Sequence, residues 1–374
     1  MTVPEPAGGA GYVAFEPAPG PHNDLTDIPG LRLGHHDRIG DGYLSGTTVL
    51  LAPPGGMAAG VDVRGGAPGT RETDLLHPTA SIERVHAIVL TGGSAYGLTA
   101  AGGAAEALEE QGIGFPVGRD PAEIVPIVPA AVLFDLGRGG SFRARPDADF
   151  GRAAVADALL ADPGRMRRTG LVGAGTGAAA CGLKGGLGMA SAVLKDGTVV
   201  AALMATNAAG SPLDRRTGEL LGARFLHVGD VAGGVPAPDD EQREALLTVI
   251  RGRDPHLVAA SRRPGPVIEN TTIGIVATDA SLSKSQCTKL AGVAHDGLAR
   301  ALNPVHTAFD GDTVFGVATC ARPAPDDLGL HDILTAAADV VTRAVVRSLL
   351  AATSVTTPAD TWPSYSDLAA PAGR

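Results

Sequence analysis

Aromatic side chains are scarce. Phe, Tyr and Trp together make up 3% of the 374 residues, with a single Trp, so the stacking platforms of a single-stranded nucleic-acid binder are missing. Positive charge is short as well. Thirty Lys and Arg stand against 40 Asp and Glu, a formal net charge of −10, which argues against a phosphate-binding surface. The basic groups Arg165, Arg167, Arg168 and Arg262, Arg263 are short and read as solvated loops. Cysteine numbers three, Cys181, Cys287 and Cys320, without paired spacing. That excludes a disulfide framework and a zinc knuckle, and it fits a reducing cytoplasm. No apolar run reaches the roughly eighteen residues of a membrane span, and the N-terminus lacks the basic start and apolar stretch of a secretory signal.

What is present is small and apolar. The chain is 44% hydrophobic with 52 Gly, so its core is expected from Ala, Val, Leu and Ile, with many close backbone approaches. Residues 1–23, rich in Pro, Gly and Ala, read as a mobile tail. TTVLLAP (47–53) and VHAIVL (85–90) are strand-like runs, followed by a glycine turn and a small-residue helix stopped at Gly112. IVPAAVLFDL (127–136) reads as another strand, and 137–170 as a polar excursion with a short helix. TVVAALMATN (198–207) is a strand ending at Asn207. A helix near 241–250 precedes an exposed linker, after which NTTIGIVATDA opens abruptly as a strand. Residues 283–302 form a helix with Cys287, Leu290, Ala294 and Leu298 on one stripe and a Ser283/Gln286 capping box. A second long helix covers about 329–352, and the last twenty residues trail off. The order of strands and helices favours a layered sandwich, sheets inside and helices outside.

Several motifs compete for chemistry. Gly173-Ala-Gly175-Thr-Gly177 resembles a dinucleotide loop but lacks a strong preceding strand, and no P-loop lysine follows at the required spacing. Gly92-Gly93-Ser94-Ala95-Tyr96 misses the last glycine of a nucleophile elbow. Its plain reading is a strand-to-helix turn capped by Ser94, though such a turn also lines pockets with backbone N–H groups, which keeps Gly93 and Ser94 as substrate-binding candidates. His35 and His36 point to opposite faces of a strand and do not chelate one metal well, and no H-E-x-x-H occurs. No metal and no cofactor is called for. Asn270-Thr271-Thr272 reads plainly as a loop entering a strand, but a Thr there has a definite chemistry. Its hydroxyl can attack the Asn270 carbonyl. Hydrolysis of the resulting ester frees an α-amine, with ordinary pKa of about 7.7–8.0, that serves as base for its own hydroxyl.

The segments DIPGLRLGHH, TGGSAYGLTAAGG, AAVLFDLG, GLKGGLGMAS, ATNAAGSP, NTTIGIVATDA and TAFDGDTVFGVAT occur in one order across about residues 24–353. In that order the chain resembles the DmpA/NylC family of self-processing aminopeptidases and nylon-oligomer hydrolases. The resemblance implies an α+β fold, a four-layer α-β-β-α sandwich of the DmpA/ornithine-acetyltransferase type with an N-terminal nucleophile. It implies a large part, 24–270, and a small part, 271–374, held in one body after cleavage at Asn270-Thr271. It assigns Thr271 as nucleophile, Asn207 as a donor to the developing oxyanion, and Lys184 as a cation near the nucleophile. Asp310 and Asp312, two apart on an extended segment, face one side. One is placed to bond Thr271 or its ammonium and the other Lys184. Phe134 stands where some members carry a Tyr, which makes it a substrate-binding candidate. The implied activity is hydrolysis of small peptides or ω-amino-acid oligomers, aminopeptidase-like, by a cytoplasmic homo-oligomer, a tetramer or larger, of processed heterodimers. Neither nucleic acid nor membrane is an expected partner. An acyltransferase of the ornithine-acetyltransferase type and a non-processing binding protein are the alternatives.

Overall fold

The computed structural model describes residues 17–160, 162, 167–232, 234–235, 237–252 and 270–370. An Asp41-Gly42 turn, with φ of 52° and 83°, joins β1 (Arg32–Gly40) to β2 (Tyr43–Leu51), the positive-φ pair that a two-residue hairpin requires. Next come β3 (Ala58–Val63), β4 (Thr70–Arg71) and β5 (Ala87–Thr91). Two helices, α1 (Ser94–Gly97) and α2 (Thr99–Glu110), lead to β6 (Ala130–Val132) and then α3 (Ala148–Leu159). Strands β7 (Leu187–Val193) and β8 (Val199–Ala205) precede α4 (Asp240–Arg251). The remainder supplies β9 (Ile273–Thr278), α5 (Lys284–Ala301), β10 (Thr313–Ala318) and α6 (Asp327–Leu350).

Two five-stranded sheets result. One runs β1-β2-β5-β6-β4 and the other β7-β8-β9-β10-β3. The period-two alternation of each strand then decides the layers. In the first sheet Leu33, Leu50, Ile88 and Leu90 point inward, while Val49, Leu51, Ala87 and Val89 point out to α2 and α3. In the second, Ile273, Ile275 and Ala277 face inward to meet them, and Val276 faces the α5/α6 layer. This is the expected four-layer α-β-β-α sandwich. The small-residue composition serves the helix contacts directly. A Cβ at Gly151 would fall 1.8 Å from Ala100 O and one at Gly103 1.9 Å from Ala148 O, so only glycine lets α2 and α3 cross this closely.

The α5 stripe Cys287, Leu290, Ala294, Leu298 is fully buried, and the Ser283/Gln286 capping box is present. Strand β9, which begins just after Asn270, lies between β8 and β10, so residues on both sides of position 270 interleave in one sheet.

Four expectations need correction. Only 130–132 of the 127–136 run forms a ladder, because Pro126 and Pro129 lack the N–H groups it would need. The last twenty residues do not trail off. Thr361–Trp362 pairs with Val355–Thr356, and Tyr365 is fully buried. The expected tail falls partly on 1–16, outside the described residues. From 17 onward the chain is docked, with Ala18 bridging Val193 and Gly20 N donating to Ser191 Oγ at 3.1 Å. Ser94 is not a cap: Gly93 holds that position and no side-chain cap bond is made. The expected linker before Asn270 lies on 253–269, outside the described residues. Among the described residues no helix is long and apolar enough to cross a membrane.

Candidate active site

Thr271 sits two residues ahead of β9, and it is 5% exposed. Its Oγ1 donates to Asn270 O, the carbonyl of the preceding peptide bond, at 2.5 Å. Its N–H donates to Asn207 O, also at 2.5 Å, at the far end of β8. Neighbouring strands therefore hold the hydroxyl, the peptide nitrogen and the carbonyl in one place. Across from them is Gly311, where a Cβ would stand 2.8 Å from Thr271 Oγ1 and 2.6 Å from Ala67 O. The glycine between the two aspartates is thus required by space, a role that an Asp-Gly-Asp string does not display as sequence.

The two aspartates flank this point but do not act as expected. Asp312 Oδ1 accepts from Thr272 N at 2.8 Å, and its Oδ2 accepts from His306 N and pairs with His306 Nδ1 at 2.8 Å. Asp310 Oδ1 accepts from Ala209 N, and its Oδ2 accepts from both the amide and the hydroxyl of Thr307. Neither carboxylate bonds Thr271 or Lys184; both tie backbone close to Thr271, at Ala209 and Thr272. The reason is spatial: backbone N–H groups of the 207–209 and 271–272 segments reach these oxygens first. Burial raises the Asp310 pKa, and the neighbouring charge of Asp312 raises it further.

Asn207 is fully buried. Its Oδ1 accepts from Arg138 Nη1 at 2.5 Å and from Ala179 N at 3.0 Å, and its Nδ2 donates to Phe134 O at 3.2 Å. Lys184 is also fully buried and donates to three carbonyl oxygens, of Ala178, Gly185 and Gly175, at 2.6, 2.7 and 3.3 Å. Burial, and then the Arg138 charge, push its pKa well below the ordinary lysine value, while Asp135 opposes them. Three acceptors on one Nζ match the three donors of an ammonium. Lys184 reaches Thr271 only indirectly, through the 178–179 backbone and Asn207.

Asp135 and Arg138 were not foreseen. Asp135 is buried, and its Oδ1 accepts from Gly93 N at 2.7 Å. Burial raises its pKa, against the lowering effects of Ser45, Gly93, Arg138 and Lys184. The one available signal was the charged D-L-G-R string directly after the apolar run that ends at Phe134. Gly93 and Ser94 are brought to this cluster by backbone alone, Gly93 through Asp135 and Ser94 through Leu133 O. Phe134 contributes its carbonyl to Asn207, and its ring is half-buried. The glycine tract 173–177 is turned to the same place. The N–H groups of residues 173–176 are spent on Asp37, Thr48, Val172 O and Gly173 O rather than turned outward as a phosphate nest, and Gly175 O and Ala178 O receive Lys184. Among the described residues no group of three His, Cys, Asp or Glu side chains is arranged to hold a metal ion.

Comparison with known proteins agrees with this architecture. The model of peptidase family S58 matches residues 23–362. An uncharacterized aminopeptidase of Mycobacterium bovis is 45% identical over 352 residues, covering 89% of this chain and 95% of the relative. A 6-aminohexanoate-oligomer endohydrolase of an Agromyces species is 32% identical over 341 residues, 85% of this chain and 82% of that one. In solved structures, the fold matches a Burkholderia β-aminopeptidase with TM-score 0.68 at 22% identity, covering 95% and 94% of the two chains. It also matches the L-aminopeptidase D-Ala-esterase/amidase of Ochrobactrum anthropi, described as a variant of the Ntn hydrolase fold, with TM-score 0.63 at 22% identity over 94% and 93%. A family match over most of the chain, with a buried Thr at the head of the central strand of an Ntn-type sandwich, leads to one conclusion: this chain belongs to peptidase family S58 and is a peptidase of the amide-hydrolysing kind.

Proposed function

We propose that the chain cleaves itself between Asn270 and Thr271 and then hydrolyses amide bonds with Thr271 as an N-terminal nucleophile. The observation that carries this is the contact of Thr271 Oγ1 with Asn270 O, in a buried residue whose N–H is already held by Asn207 O. In processing, the Oγ1–C bond forms at the Asn270 carbonyl and the C–N bond to Thr271 breaks, with the hydroxyl proton passing to the nitrogen. Water then opens the ester, leaving the Asn270 carboxylate and a Thr271 bearing a free amine and hydroxyl. Asn207 O, which holds the amide N–H before cleavage, is placed to hold the amine afterwards. In turnover the amine takes the hydroxyl proton, Oγ1 attacks the substrate carbonyl, and the same amine returns a proton to the leaving group. Asn207 supplies the side-chain donor for the oxyanion, a role worth about 2.7–4 kcal/mol of barrier where it has been removed elsewhere. Asp310 and Asp312 hold the 207–209 and 271–272 backbones in register, and Lys184 ties together the Gly175, Ala178 and Gly185 carbonyls behind Asn207.

The substrate class we infer is a small peptide or an ω-amino-acid oligomer, on the strength of relatives named for aminopeptidase and 6-aminohexanoate-oligomer hydrolysis. The large and small parts stay together, as the interleaving of β9 and β10 with β8 and β3 supports. A count of three cysteines without paired spacing supports a reducing, cytoplasmic setting, and the exposed Phe115, Val117 and Val125 support assembly into a homo-oligomer. Intact-mass measurement tests the reading. Purified protein should give fragments of about 27 and about 10 kDa, in proportion to length, from the 37.5 kDa chain. Thr271→Ala should leave it whole and inactive. A wild-type chain that stays whole yet turns over substrate would overturn the proposal.

A further inference from the structure

A carboxamide can sit in two orientations that differ only by exchange of its oxygen and nitrogen, and its neighbours decide which is held. At Asn207 the Oδ1 side receives Arg138 Nη1 and the Ala179 N–H, both obligate donors. A guanidinium does not give up its proton at any pH where a protein folds. Turning the amide over would set its NH2 against both donors. Its Nδ2 therefore faces the other way, where Phe134 O takes one hydrogen.

Arg138 is itself held on three sides. The same Nη1 donates to Gly177 O at 2.6 Å. The buried Asp135 carboxylate supplies an opposing charge. The Arg138 carbonyl accepts from Thr357 Oγ1 at 2.6 Å, so the docked C-terminal segment grips the arginine loop from outside. That segment also reaches the buried lysine, because Lys184 N donates to Pro363 O at 2.8 Å.

We propose that Arg138 is a positioning residue for amide cleavage. It fixes which way the Asn207 carboxamide faces, with Oδ1 toward the arginine and Nδ2 on the Phe134 side where the reacting carbonyl is to be met, and it does so without touching substrate. Asp135 opposes the guanidinium charge and helps to hold it in place. This rests on the proposed use of Thr271 and Asn207.

The test compares Arg138→Met with wild type in processing rate and in kcat and KM on a short peptide amide. With the carboxamide free to turn, kcat should fall about 10- to 100-fold, less than outright loss of an oxyanion donor, while KM stays within about twofold. Added millimolar guanidinium should restore part of that loss, which a merely structural defect would not show. In an Asn207→Ala background the same substitution should cost little more, because its target is gone. An unchanged kcat in Arg138→Met, an equal loss in both backgrounds, or no response to guanidinium would each overturn the inference. Should Arg138→Met fail to fold, Arg138→Lys carries the same test. It keeps the charge beside Asp135 but has no fork to span Gly177 O and Asn207 Oδ1, so an intermediate loss of kcat is expected. A wild-type chain neither processed nor active removes the underlying reading; an active wild type with an undisturbed Arg138→Met removes this inference alone.

Discussion

Among the described residues two arginines are buried, Arg138 and Arg343, and their surroundings differ. Arg343, on α6, is closed on every side. Its Nε and Nη2 bond Asp230, Nη1 bonds Ser191 O, and Nη2 also reaches Asn23 Oδ1. Around Arg138 the polar groups are not all paired. Ser45 Oγ and Asp135 Oδ2 lie side by side without a bond of good geometry, and Thr176 Oγ1 on the glycine tract has no partner. Thr272 Oγ1 and His306 Nε2, close to Thr271, are in the same condition. A buried polar atom without a partner is costly, and folds keep such atoms chiefly where chemistry or binding uses them. One arginine ties the chain together; the other serves a site with polar capacity to spare.

The sharpest way to break this comparison is to remove the closed arginine. Arg343→Met leaves the Asp230 charge buried and unpaired, so the folded state should lose about 3–5 kcal/mol, read as a fall in denaturant midpoint. Any molecules that still fold should process normally. If stability barely moves while processing stops, the two arginines have been assigned the wrong way round. Next in size is Gly311→Ala. Its methyl would meet Ala67 O and Thr271 Oγ1, which should cost about 1–3 kcal/mol and slow self-cleavage together. Thermal melts and intact mass on the same sample check both halves.

A smaller effect separates the two carboxylates by pH. Burial alone would raise Asp230, but the hydrogen bonds and charge of Arg343 outweigh it and hold its pKa below the ordinary value. Its contribution is present above the unfolded carboxylate range and is lost as pH falls through the depressed value. Asp135 is raised by burial, so the folded state binds its proton more readily than the unfolded chain, and stability falls as pH rises through that window. The advantage of wild type over Asp230→Asn should therefore shrink on acidification, and its advantage over Asp135→Asn should grow. Parallel slopes in the two melting series would contradict the contrast. The smallest expected effect is at Ser94, which makes no cap bond; Ser94→Ala should change stability by less than about 0.5 kcal/mol.

Much of the frame could be read from local pattern. The Cys287–Leu298 stripe, the Ser283/Gln286 box and the abrupt strand after Asn270 follow from periods of 3.6 and 2 and from side-chain chemistry within a few residues. Thr271 was legible through the ordered motifs that carry the family resemblance, since Asn-Thr ahead of a strand reads locally as a plain loop. The C-terminal segment was misread because its value is not local: Trp362 packs against Leu44 and Ala179, far away in sequence.

By itself, then, the sequence determined the long helices, most of the core strands and the candidacy of Thr271, since each is written in neighbours along the chain. Only the tertiary structure decided what surrounds that residue. Asp135 with Arg138, Lys184, Asn207 and Gly311 come from four separate segments, and they meet because two sheets pack face to face. Which donors then reach which carboxylate is settled by contact distance, and contact distance between remote segments leaves no periodic trace in the order of residues.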